Sequence, residues 1–164
     1  MPGRRTVVVL VAALAVGVAV MSLAAGRHDR RASAGAPDDP ALRTLHTWDA
    51  SRAAAYASGS VAALRDLYVP GSAAGRADLR VLRAYRARRL RVTGMRMQVL
   101  ALSVLDSRRG WWRLQVTDRL AEATVMRGHR RITLPSDRPT TRILTMMRGG
   151  DGRWRVADVE DTGV

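Results

Sequence analysis

The chain has 164 residues, 28 basic against 14 acidic side chains and a formal net charge of +14, a size for one ordinary domain with a real core. It contains no cysteine, which excludes disulfides, thiolate zinc sites, a cysteine nucleophile and a lipid-modified cysteine. Every basic residue is arginine, the mark of a GC-rich coding sequence, so arginine here does not by itself signify bidentate phosphate recognition; the excess charge does favour anionic partners.

Residues 1–5 form a short tail bearing Arg4 and Arg5. From Thr6 to Gly26 the chain is uncharged, long enough as a helix to span about 30 Å, the thickness of a bilayer's hydrocarbon core. This predicts one transmembrane signal anchor over 6–26. Small residues at Ser22 and Ala24, or Ala32 and Ala34, keep a cleaved signal peptide open as the alternative. Arginines flank both ends of the run, so the positive-inside rule discriminates weakly; a short inner tail with an extracytoplasmic C-terminal domain is the expected topology of a single-pass cell-membrane protein.

Residues 27–40 read as a flexible polar linker, and Asp39 followed by Pro40 predicts a helix start, so the folded domain is expected over 41–164. A first helix over Ala41–Ser58 places Leu42, Leu45, Asp49, Ala53 and Tyr56 on one side. Gly59 stops it, and Ser60 caps a short second helix in "SVAALRDLY". After the turn "VPGS", a third helix runs roughly from Arg76 to Arg88. The stretch Gly75–Val92 holds seven arginines, but Leu79, Val81, Leu82 and Tyr85 share one half of the helix while Arg76, Arg80 and Arg83 share the other. That is the pattern of a half-buried helix with a solvated arginine face.

Beyond Val92 the period changes to two. "VTGMRMQVLALSVLDS" and "GWWRLQVTDRLAEATVM" are long strands, the second with Trp112, Leu114, Val116 and Asp118 on one face. Arg127–Pro139 reads as a basic loop. "TTRILTMM" and "RWRVADVED" are two further strands joined by the hairpin signal "RGGDG", with Trp154, Val156 and Asp158 expected to share the inner face. Helices followed by an antiparallel meander define an α+β domain with three helices packed on one side of a curved sheet.

Three helices followed by long strands ending in "GxWRVxxVE" resemble the NTF2-like superfamily, an α+β cone. The phrase "TWDASRAAAYASGSVAALRDLYVPGSAAG" is similar to membrane-anchored actinobacterial proteins of unknown function, some grouped with Mce-associated proteins. The resemblance covers about Ala41 to Asp161. It implies a fold, not an activity, since that superfamily spans isomerases, dehydratases, cyclases, transport factors and non-catalytic secretion-system subunits. Its enzymes work from the open end of the cone, which makes Asp49, Tyr56, Asp118 and Asp158 the candidate pocket residues, with His46 and His129 nearby in kind. The structural readings are an Asp49–Arg52 ion pair at i, i+3, an Asp118 turned to solvent at a bulge, and an Asp158 merely close to the chain end.

No phosphate loop, nucleophile elbow or metal-ligand cluster is present, so neither cofactor nor metal is expected. The first expectation is a non-enzymatic, membrane-tethered binding or scaffold module with an envelope protein partner. The alternative is a small-molecule-binding or acid–base enzyme of the isomerase or cyclase type. Nucleic-acid binding through Arg76, Arg80, Arg83, Arg127, Arg130 and Arg131 ranks last, because base-stacking aromatics are not interleaved with the arginines; an anionic envelope partner suits the same surface. A homodimer through the sheet is a further expectation that the resemblance raises.

Overall fold

The computed structural model describes residues 39–162, in which three helices, α1 (Pro40–Ser58), α2 (Val61–Arg65) and α3 (Ala73–Ala87), precede five strands: β1 (Arg91–Arg108), β2 (Trp111–Arg127), β3 (Arg130–Leu134), β4 (Thr140–Arg148) and β5 (Trp154–Asp161). The anchor expected over 6–26 lies outside the described residues; among those described, no helix is long and apolar enough to cross a membrane.

Local chemistry sets the helix ends. The Asp39 carboxylate accepts the Ala41 N–H at 2.8 Å and Pro40 opens α1. Gly59 closes it in the left-handed region, φ 67°. Ser60 caps α2 through the Ala63 N–H at 3.2 Å, and Ser72 caps α3 through the Gly75 N–H at 3.0 Å. The third helix therefore begins at Ala73, three residues before the expected Arg76, because the cap lies in the "VPGS" turn itself.

The strands form one antiparallel sheet in the order β1-β2-β4-β5, with β3 also paired to β2. Strand β2 changes partner along its length: Trp111–Asp118 pairs with β4, whereas Ala123–Arg127 pairs with β3. The basic loop expected over Arg127–Pro139 thus contains a short hairpin strand. Its sequence, "RRITL", is exposed up to Leu134 and lacks the alternation by which buried strands declare themselves. Register shifts along β1 bend the sheet, as bulges do. The segment Leu67–Val69 extends the β5 edge in parallel, with Val69 N–H donating to Val156 O and Val156 N–H to Leu67 O at 2.9 and 3.0 Å.

The helices cover one face of this sheet. Leu45, Tyr56, Leu64 and Leu82 meet Leu114, Val116 and Met146 in a single apolar core. Trp112 and Trp154 stack against it, ring centroids 4.0 Å apart and planes 13° from parallel.

Candidate functional site

The covered face of the sheet holds one buried carboxylate, Asp118, 3 % exposed. It lies on β2 where that strand leaves β4, opposite Thr140. Arg142, on the neighbouring β4, donates through Nη2 to both carboxylate oxygens at 2.7 and 2.5 Å. Asp118 therefore does not turn to solvent; it is held in a largely buried ion pair. Asp49 approaches the same pair from α1, feeling the charges of Arg52, Asp118 and Arg142. Burial pushes its carboxyl up from the ordinary 3.8 to about 7; Arg52 and Arg142 oppose the rise, and the Asp118 charge adds to it. Its Oδ2 and the Arg142 Nε are both buried without a hydrogen-bond partner. Three side chains from three elements thus share one acidic-basic cluster, with one carboxyl poised near neutrality.

Arg52 does not pair with Asp49. It turns across to Asp78 on α3, donating Nε to Oδ2 and Nη2 to Oδ1, both at 2.7 Å. The Tyr56 and Tyr68 hydroxyls complete the shell of Asp78 at 2.6 and 2.7 Å. Burial alone would raise the Asp78 carboxyl; the Arg52 charge and four donated bonds overcome it and hold Asp78 below the usual carboxylate range. Burial and the neighbouring Asp78 charge push both tyrosines far above their ordinary value. Tyr56, a pocket candidate from the sequence, is thereby a structural donor. With no exposure and every strong acceptor position engaged, Asp78 ties α1 and the 67–69 segment to α3 rather than presenting chemistry to solvent. Sequence reasoning misses Asp78 because it sits among arginines on a helix with a wet face; its only signal is its place next to Leu79, on the apolar half.

Asp158 is not in the cluster. Thr145 and Met146 pair with Asp158 and Val156, so Ala157 is an extra residue in a β-bulge. The alternation slips by one, Val159 replaces Asp158 against the core, and Asp158 is exposed. His46 and His129 are exposed as well. No group of three or more metal-ligating side chains occurs among the described residues.

The candidate anion-binding arginines separate into two groups. Arg76, Arg80 and Arg83 lie on the exposed face of α3. Arg127, Arg130 and Arg131 lie in the exposed β2–β3 hairpin, at the opposite end of β2 from the β4–β5 turn.

Two surface depressions lie away from Asp49 and Asp118. One is a groove of about 610 Å³ between the turn preceding α3 and the β4–β5 hairpin, with Pro70, Leu79 and Met147 in its lining and Arg65, Arg76, Arg148 and Arg155 around it. The other is a shallow depression on the uncovered sheet face, where Arg113 reaches across β4 to Glu160 at 3.1 Å.

A helical layer on one face of a bent antiparallel sheet, with β2 shared between two successive partners, defines an α+β cone of the NTF2-like type. Among solved structures the chain is similar to the intermembrane space region of the chloroplast protein ARC6, at 14% identity over 74% of this chain and 95% of that one, TM-score 0.52. It is also similar to Aln2 from a Streptomyces species, at 14% identity over 76% and 93% of the two chains, TM-score 0.49. A protein from Catenulispora acidiphila aligns at 16% identity over 73% and 88%, TM-score 0.47. At such identities the likeness concerns the fold alone. No protein-family model matches the sequence, and neither does any curated protein.

Proposed function

We propose that this chain is a non-enzymatic, membrane-tethered binding or scaffold module, its NTF2-like domain extracytoplasmic and engaged with a protein of an envelope assembly or transport system. The observation that carries the reading is where space and charge are found. On the covered face of the sheet Trp112 and Trp154 stack, Met146 is fully buried, and Asp118 is tied to Arg142. Concave space is found instead at the surface, in an arginine-rimmed groove. An enzyme needs reacting groups in a cavity; a docking module needs an accessible, chemically distinctive surface. The apolar run over 6–26 supports the tether.

Protease accessibility of the C-terminal domain in intact against lysed cells, with the N-terminus checked for cleavage, tests this reading. Digestion in intact cells is expected. Protection until lysis would place the arginines beside the cytoplasm and return nucleic acid to the front, to be tested by the salt dependence of binding.

A second reading has one observation in its favour: the partly unpartnered Asp49 carboxyl, held near 7 beside Asp118, is suited to proton transfer. A small-molecule fragment screen followed by NMR shift mapping separates the two. Shifts converging on Asp49 and Asp118 favour an acid–base pocket; shifts confined to the surface groove favour the docking module.

A further inference from the structure

The groove between α3 and the β4–β5 hairpin combines two features that rarely coincide on a soluble surface: an apolar lining and a ring of guanidinium groups. Leu79 is buried beneath it, and Met147, on β4, is 43 % exposed beside it, one of few large apolar side chains so open. Around them stand Arg65 at the end of α2, Arg76 in the first turns of α3, and Arg148 and Arg155 on the hairpin. Several of these are already held in place. Arg76 donates Nη1 to Gly71 O, and Arg148 donates Nε to Gly152 O at 3.0 Å. Arg155 donates Nε to Asp66 O at 3.1 Å, and its other donors engage Asp151 at 3.0 and 2.6 Å. Arg155 is therefore a neutralised wall, whereas Arg65, Arg76 and Arg148 keep free N–H groups. Ordering before contact lowers the entropy that a bound partner must overcome.

We propose that this groove is the docking site for an extended acidic segment of a partner protein, its apolar side chains seated on Leu79 and Met147 and its carboxylates on Arg65, Arg76 and Arg148. The proposal rests on the binding-module reading and names the chemistry of the partner. Three alternatives fit less well. A bilayer is flat and can meet the arginine rim but not the recessed apolar lining. A lone inorganic anion would leave Met147 and Leu79 without a role. The chain's own linker, residues 27–40, sets Arg27, Arg30 and Arg31 against Asp29, Asp38 and Asp39, has no net negative charge to match the rim, and offers no alternation of acidic with large apolar side chains. A strand-like peptide that alternates acidic and apolar side chains satisfies rim and lining together.

The probe is a fluorescein-labelled peptide alternating Asp or Glu with Leu or Val, titrated against the full chain in neutral detergent and followed by anisotropy. Saturable binding is expected, weakened about tenfold by Arg76→Gln and by Met147→Asp, a loss typical of a side chain central to an interface. A polyglutamate peptide of equal charge should bind about tenfold more weakly than the mixed peptide if the apolar seat contributes as proposed. The double substitution Arg86→Gln with Arg88→Gln removes equal or greater charge at the opposite end of α3, outside the groove, and should leave affinity unchanged. Absence of binding overturns the proposal. So does equal binding of polyglutamate, or equal loss in the remote double variant, since either means attraction to overall charge. Displacement by glycerophosphoglycerol, the soluble headgroup of an anionic lipid, would assign the groove to lipid instead. These outcomes leave protease accessibility untouched, so failure of the groove and failure of the extracytoplasmic reading are distinguishable.

Discussion

Arg52 and Asp78, separated by 26 positions in sequence, are joined by two parallel hydrogen bonds of 2.7 Å with the carboxylate wholly buried. The pair fastens α1 to α3, and Tyr56 and Tyr68 leave Asp78 with no strong acceptor position idle. A buried ion pair is not in itself a large stabiliser, because both charges lose their hydration. Removing one partner is costly, because the other then stays buried and uncompensated.

Asp78→Ala is accordingly expected to lower unfolding free energy by roughly 3–5 kcal/mol, measured by urea denaturation. The paired replacement Arg52→Met with Asp78→Leu should recover much of that loss. A double variant as unstable as the single one would show that the two tyrosine hydroxyls, not the charge, dominate.

Asp49 makes stability depend on pH in the opposite sense to Asp78. Its folded pKa, about 7, lies above the ordinary 3.8, so the folded state binds the extra proton and stability declines as pH rises between those values. Asp49→Asn removes that decline: at pH 8 the variant should exceed the wild type by about 2–4 kcal/mol, the upper end being the full linkage for a shift of this size. At pH 4 the difference should vanish. Asp78, held low, contributes stability above the unfolded carboxylate range that is lost as pH falls through its folded value. Thermal melts of wild type and Asp49→Asn from about pH 3 to 9 test both signs.

Gly75 lies inside α3, where alanine is intrinsically better than glycine by about 1 kcal/mol. Here the sign should reverse. A Cβ at this position would meet the Tyr68 Cβ and the Ser72 Oγ at 2.8 Å. Tyr68 cannot retreat without giving up its bond to Asp78, and Ser72 is the helix cap. Gly75→Ala is expected to destabilise by about 2 kcal/mol, an overpacking cost, in the same denaturation assay.

Arg142→Met leaves Asp118 buried without its partner and removes one of the two positive charges beside Asp49. Arg142 is 20 % exposed, so the expected loss, about 2–3 kcal/mol, falls short of the roughly 3–5 kcal/mol seen when a fully buried pair is broken. Adding Asp118→Leu should restore part of it if the pair is structural. If Asp118 instead serves a ligand, the double variant would be stable yet lose fragment shifts at Asp49.

Local signals carried most of the secondary structure into view. Asp39 and Ser60 cap helices through side chains that contact backbone two or three residues away, and Gly59 ends one by adopting a conformation other residues avoid. The even spacing of Trp112, Leu114, Val116 and Asp118 was enough to put them on one face. Asp158 shows where such reasoning stops. Period-two arithmetic assumes an unbroken ladder, and one extra residue, Ala157, turns the carboxylate out and Val159 in.

The sequence by itself determined the order of the three helices and of four of the five strands, the Asp39 and Ser60 caps, the arginine excess and the apolar N-terminal run, because each depends on composition or on residues within a few positions of one another. Only the tertiary structure decided which acid meets which base. Arg52 had Asp49 three residues away and took Asp78 instead; Asp118 found Arg142; and the groove arose where the α2–α3 turn meets a hairpin more than seventy positions later. A charged side chain that leaves water pairs where packing brings an opposite charge and completes its hydrogen bonds, and chain proximity does not set that geometry.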